Sequence, residues 1–153
     1  MTDKEALQLT EQCLYDYPAN LTRIEVLRKD LLVLRAGSDV KAQNYVRVLN
    51  DYDVKKGSMS DPVFNFVTKI EKLEEEIERL RRITEPISNM IRDLKTPYAT
   101  DASLNSDFIK ILGLDYFARN PVAVILDSTK WSRAAFFRKK KQLILLAQKY
   151  LGY

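Results

Sequence analysis

Residues 63–94 read VFNFVTKIEKLEEEIERLRRITEPISNMIRDL. With Val63 at position a of a heptad, position a falls on Val63, Ile70, Ile77, Thr84 and Ile91, and position d on Phe66, Leu73, Leu80, Ile87 and Leu94. Nine of the ten are apolar. Only a helix returns the same face at that spacing, so the stretch is a long amphipathic helix with a seam to be covered. Two coverings are open. In a parallel homodimer Ile70, Leu73, Ile77, Leu80, Ile87 and Ile91 form the oligomerisation seam, with Lys69 facing Glu74 and Glu76 facing Arg81 across it. Exposed pairs of this kind contribute under about 1 kcal/mol each, so they bias orientation rather than supply stability. Alternatively, an antiparallel helix of the same chain lies in the seam. Pro86 removes one backbone hydrogen bond and is expected to kink the helix, or split it near Thr84 and Glu85.

Upstream, Thr2 to Tyr15 reads as a first helix with Leu7 and Leu14 on one side, broken at Tyr17-Pro18-Ala19-Asn20. Leu21 to Ala36 carries Ile24, Leu27, Leu31 and Leu34 at helical spacing, and Gly37 ends it. These two make an N-terminal helical hairpin. Residues 38–61 have no clear period; Lys55-Lys56-Gly57-Ser58 reads as a loop, and Ser60 or Asp61 before Pro62 as the start of the long helix.

Downstream, Thr96 to Asp101 is a linker ended by no periodic pattern, with Pro97 closing the long helix. The expected organisation is all-α: a helical and coiled-coil oligomerisation region over 1–95, a linker over 96–102, and a helix-turn-helix domain over 103–153. In that last part Ser103 or Asn105 caps a helix carrying Phe108, Ile109, Ile111 and Leu112, which Gly113 ends. Asn120-Pro121 opens a short helix with Val122, Val124, Ile125 and Leu126. Ser128 to Trp131 makes a turn, and Ser132 caps a last helix from Arg133 to about Leu151.

Charge separates the two regions. Residues 101–153 hold 9 Lys/Arg and 4 Asp/Glu, whereas residues 1–100 hold 16 and 17. The excess basicity therefore sits in the last third, which points to a polyanionic partner for that part.

A short apolar helix, a tight turn, a serine cap and a basic helix are the layout of a helix-turn-helix unit. On the last helix, Phe136, Leu143, Ala147 and Tyr150 would face the core, with Trp131 plugging the turn. Arg133, Ala134, Phe137, Arg138 and Lys141 would face double-stranded DNA. Arg133, near the helix start, suits a bidentate contact to guanine, and Ala134 and Phe137 suit a thymine methyl. Arg138, Lys140 and Lys141 suit phosphates, and the free amides near Ser132 can hold another. Four consecutive cations spread around a helix, so Lys139 is expected partly on the core side with its stem buried.

The string Trp131-Ser132-Arg133-Ala134-Ala135-Phe136-Phe137-Arg138-Lys139-Lys140-Lys141-Gln142-Leu143-Ile144 resembles the recognition helix of ArpU/RinA-type phage late transcription regulators, which in turn resemble the C-terminal promoter-recognition domain of sigma factors. The resemblance implies a phage or prophage activator that binds a promoter and recruits host RNA polymerase in the bacterial cytoplasm. It implies groove contacts at Ser132, Arg133, Ala134, Phe137 and Arg138. Lys139 stands where that family usually has an apolar or aromatic residue, and the turn Ser128-Thr129-Lys130-Trp131 lacks the usual glycine.

Other chemistry finds little support. The chain has one cysteine and no histidine, so an internal disulfide is impossible and a zinc cluster or His-based catalysis is not expected. Glu74, Glu75, Glu76 and Glu78 fall on the outer faces of the long helix, Asp51 and Asp53 form no completed metal site, and Cys13 sits on an amphipathic helix as a core residue. No enzyme activity and no cofactor are expected. Met1 to Glu5 does not open a signal peptide, and no stretch is apolar enough to span a bilayer. Two further readings stay open beside a dimeric DNA-binding regulator: a phage small terminase subunit, and a helical module that binds protein rather than DNA.

Overall fold

The computed structural model describes residues 2–51, 62–96 and 102–153, with side chains over 2–37, 64–96 and 103–153. The expected Lys55–Ser58 loop, the helix start at Ser60 or Asp61, Asp53 and the Pro97–Asp101 linker lie outside them. The described residues are all-α, without a strand: α1 (Asp3–Asp51), α2 (Pro62–Leu94), α3 (Ala102–Ile111), a π-helical segment (Leu112–Phe117), α4 (Val122–Thr129) and α5 (Arg133–Leu151).

Three expected breaks are absent. α1 runs through Pro18 and Gly37, and α2 runs through Pro86. A proline inside a helix costs about 3 kcal/mol and a glycine about 1 kcal/mol relative to alanine. Burial on the same helices outweighs those costs: Leu14 and Tyr17 precede Pro18, Ile24, Leu27 and Leu31 follow it, and Ile87 and Met90 follow Pro86, all buried. Each fully buried aliphatic side chain contributes roughly 1.5–3 kcal/mol. The hairpin partner of α1 is therefore α2, rather than a second helix beginning near Leu21.

The chain forms two compact units, Met1–Leu21 with Arg82–Tyr153, and Thr22–Arg81. The division falls within both long helices. In the second unit Ile24, Leu27 and Leu80 are buried together, with Leu73 and Ile77 packed against them. Arg35 pairs with Glu74. Later residues of α1 thus meet earlier residues of α2, and the segments run antiparallel. The heptad seam of α2 is filled here by its own chain.

In the first unit, Leu14 and Tyr17 of α1 and Ile87, Met90 and Leu94 of α2 share one core with Phe108, Ile111, Leu112, Tyr116, Ile125, Phe136, Leu143 and Ala147. The Tyr17 hydroxyl and Ser88 Oγ lie 2.8 Å apart in a hydrogen bond, and the Tyr150 hydroxyl donates to Asp93 Oδ2 at 2.6 Å. The C-terminal helices therefore share their core with residues of α1 and α2. Of the positions Ile70, Leu73, Ile77, Leu80, Ile87 and Ile91 expected to form an oligomerisation seam, Leu80 and Ile87 are 4% and 1% exposed, and Leu73, Ile77 and Ile91 are half-buried against the cores of their own chain. Ile70 is half-buried as well.

Gly113 does not end α3. The chain widens into π-helical turns, with the Ala118 amide bonding Gly113 O at 3.0 Å. Two residues past the segment's end, Arg119 has a φ of 53°, in the left-handed region that side chains rarely adopt. Pro121, with extended φ and ψ, then precedes α4, one residue later than expected.

Candidate nucleic-acid interface

The turn between α4 and α5 is Lys130-Trp131-Ser132. Lys130 takes the left-handed conformation (φ 63°, ψ 18°) that glycine usually supplies, and its amide closes α4 on Leu126 O. Thr129 Oγ1 bonds Ile125 O at 2.8 Å and accepts from the Trp131 amide at 3.4 Å, which offsets the strain locally. Ser132 is extended (φ −70°, ψ 156°), and its Oγ accepts from the Ala135 amide at 3.2 Å. That cap satisfies one orphan donor of the first turn and sets where α5 begins, as the sequence leads one to expect.

Helical geometry then sorts the side chains of α5. Phe136, Leu143 and Ala147 are fully buried, and Trp131, Leu146 and Tyr150 pack on the same core. Ser132, Arg133, Ala134, Arg138 and Lys141 are exposed, as is Phe137 at 43%. At about 100° per residue the five from Arg133 to Lys141 occupy an arc of roughly 140°. Among the described residues no carboxylate pairs with Arg133, Arg138 or Lys141. Arg133 Cζ lies 5.5 Å from the centroid of the Phe137 ring.

Lys140 does not belong to that face, contrary to its expected role as a phosphate contact. Its side chain is 17% exposed, and its Nζ lies 2.9 Å from Asp115 Oδ2 and 3.6 Å from Glu11 Oε1. It also sits 5.1 Å from the Tyr116 ring centroid and 6.0 Å from that of Tyr15. Burial, the largest single influence, works against its charge, but Asp115, Tyr15 and Glu11 together hold the ammonium above its ordinary range. Asp115 Oδ2 is shielded from solvent and meets Lys140 as an ion pair without proper hydrogen-bond geometry. Around them the Tyr116 hydroxyl donates to Glu11 Oε1 at 3.1 Å, and the Tyr15 hydroxyl to Asp115 Oδ1 at 3.5 Å. Burial, then Glu11, push the Tyr116 phenol far above its usual range.

Lys139 folds inward on the other flank, where its Nζ bonds Asp107 Oδ2 at 2.8 Å and lies 4.3 Å from the Trp131 ring centroid. Its stem occupies the core-side edge as expected, and the cation and ring together fasten the turn. Of the run Arg138 to Lys141, two cations face outward and two are neutralised inside. The partners Asp107, Asp115 and Glu11 have no signal in the sequence. The single hint is that four successive residues on a helix cannot share one face.

Elsewhere chemistry is sparse. Burial pushes the Cys13 thiol up, which suppresses the thiolate. Among the described residues no three His, Cys, Asp or Glu side chains gather to hold a metal, and no helix is long and apolar enough to cross a membrane. A shallow polar groove is lined by Gln12, Tyr15, Asp115, Arg119 and Asn120. Comparison of the chain with family models, with curated proteins and with solved structures finds no match.

Proposed function

We propose that the protein is a sequence-reading DNA-binding regulator that presents the outer face of α5 to the major groove. The observation that carries this reading is the sorting of charge on one N-capped helix. Arg133, Arg138 and Lys141 stand outward around the small Ala134, while Lys139 and Lys140 are neutralised on the core side. A helix can approach base edges only where its leading side chains are small or themselves make contacts, and Ala134 beside Arg133 meets that need. Arg138 and Lys141 are spaced to set register on phosphates, with the free amides beside Ser132. The finer identity, a phage or prophage late-gene activator that recruits host RNA polymerase, rests on the likeness of residues 131–144 to ArpU/RinA-type regulators. Because α1 fills the seam of α2, each chain brings one reading head, and a homodimer, where it forms, uses another surface.

A second reading has its own support. Phe137 and Leu145, 43% and 45% exposed, flank the cations on the same face, which also suits an acidic protein surface. Titration with random and promoter-derived duplexes at two salt concentrations separates the two. Salt-dependent binding with a preferred duplex supports the regulator, because neutralised phosphates release counterions. Absence of binding at low salt leaves the protein-docking reading.

A further inference from the structure

We propose that Phe137 is a positioning residue that holds the Arg133 guanidinium in the orientation needed to read a base; this rests on the DNA-binding reading above. Phe137 is a large aromatic left 43% exposed among the cations Arg133, Arg138 and Lys141 and the small Ala134. Its surroundings explain it. Phe136 has no exposure at all and is anchored in the core. The Phe137 ring meets the Phe136 ring edge-on, with centroids 5.2 Å apart and planes at 64°. An edge contact of this kind is attractive and restricts the outer ring's rotation. One turn earlier, at i−4, the Arg133 guanidinium carbon lies 5.5 Å from the Phe137 centroid. Order thus passes outward from a core ring to a surface ring to a cation.

Contact with an aromatic face is a restraint that leaves an arginine able to read a base. A carboxylate partner would consume the in-plane N–H donors. An aromatic face engages the guanidinium through its π surface and leaves its five donors directed outward. No described carboxylate pairs with Arg133, so its donors remain available for the O6 and N7 acceptors of guanine. A long arginine side chain loses considerable rotamer freedom on binding, and a platform that limits this freedom beforehand favours the base contact. The effect falls on specificity, since phosphates accept a cation from many directions while a base edge does not.

The test is a double-mutant cycle on the full chain, using a duplex selected by the wild-type protein from a random pool and a scrambled duplex of equal length. Phe137→Leu should reduce the ratio of selected to scrambled affinity about two- to five-fold, the size of an exposed cation–π contact. Arg133→Ala should reduce it by roughly ten-fold or more. In the Arg133→Ala background, Phe137→Leu should have no further effect on the ratio, and Phe137→Tyr, which keeps the ring, should behave as wild type. The Arg133 δ-protons should also show an upfield ring-current shift by NMR in free protein, lost in Phe137→Leu. Salt-dependent binding in which the two substitutions add independently would overturn the positioning role while leaving the DNA-binding reading intact. Absence of any salt-dependent binding by the wild type would remove both.

Discussion

Lys140→Ala is expected to unfold the protein more readily without acting through a DNA contact. The substitution leaves Asp115, 11% exposed in its side chain, and Glu11 facing each other with no cation between them. Removing one member of a buried pair costs about 3–5 kcal/mol, because the other charge stays desolvated. Both partners here keep some solvent contact, which places the cost near the lower end, about 3 kcal/mol. In a chain of this size each kcal/mol moves the melting temperature by roughly 2–4 °C, so Tm should fall by about 6–12 °C. The neighbouring Lys141→Ala, on the exposed face, should stay within about 0.5 kcal/mol of wild type. Combining Lys140→Met with Asp115→Asn should recover much of the loss, since it neutralises the more buried pair and leaves only Glu11, 35% exposed in its side chain, without its cation. Thermal melts followed by circular dichroism read all three. Equal Tm values for Lys140→Ala and Lys141→Ala would refute the buried ion pair.

Alkali should destabilise the fold. Tyr116 and Lys140 both hold their protons more tightly when folded, so the unfolded chain releases them first. The stability tied to them is complete below their ordinary values near 10 and is lost as pH rises beyond that. Tm should fall above about pH 10, less steeply in Tyr116→Phe; a flat profile to pH 11.5 would contradict the burial of both groups. Leu80→Asp puts a charge into the Ile24, Leu27 and Leu80 cluster and should cost 3 kcal/mol or more, on the order of a large core truncation with an unpaired polar group added. Circular dichroism should show lost helicity at unchanged mass by sedimentation, whereas a change in mass with helicity retained would restore an intermolecular seam. Arg138→Ala and Lys141→Ala should weaken binding to selected and scrambled duplexes alike, each flattening the slope of log K against log salt by about 0.9.

Much of the fold was legible because its determinants are periodic. The apolar a and d positions of α2 gave a helix and its buried side, and Ser132 gave the start of α5 with its cap. Periodicity could not say who fills a seam, and here α1 does. Local rules also placed breaks at Pro18, Gly37, Pro86 and Gly113; at the two prolines, burial of side chains on either side overrode a cost of about 3 kcal/mol. The outward set Arg133, Ala134, Phe137, Arg138 and Lys141 followed from 100° per residue alone. Lys140 was misassigned because its environment comes from Glu11 and Asp115, 129 and 25 positions away. Nothing in the local pattern of residues 138–141 distinguishes a lysine meant for phosphate from one meant for a buried carboxylate. The same holds for the turn, where Lys130 fills a position glycine would suit and Thr129 and Trp131 make it tolerable through contacts that only the folded chain reveals.

The most direct test is a salt titration of the purified protein with duplex DNA. Three outward cations predict that log K falls against log salt with a slope of about −2 to −3 per bound chain, with one duplex preferred over random sequence. A chain that shows no affinity for duplex DNA at low salt would contradict the central reading and leave the outer face of α5 as a protein-docking surface.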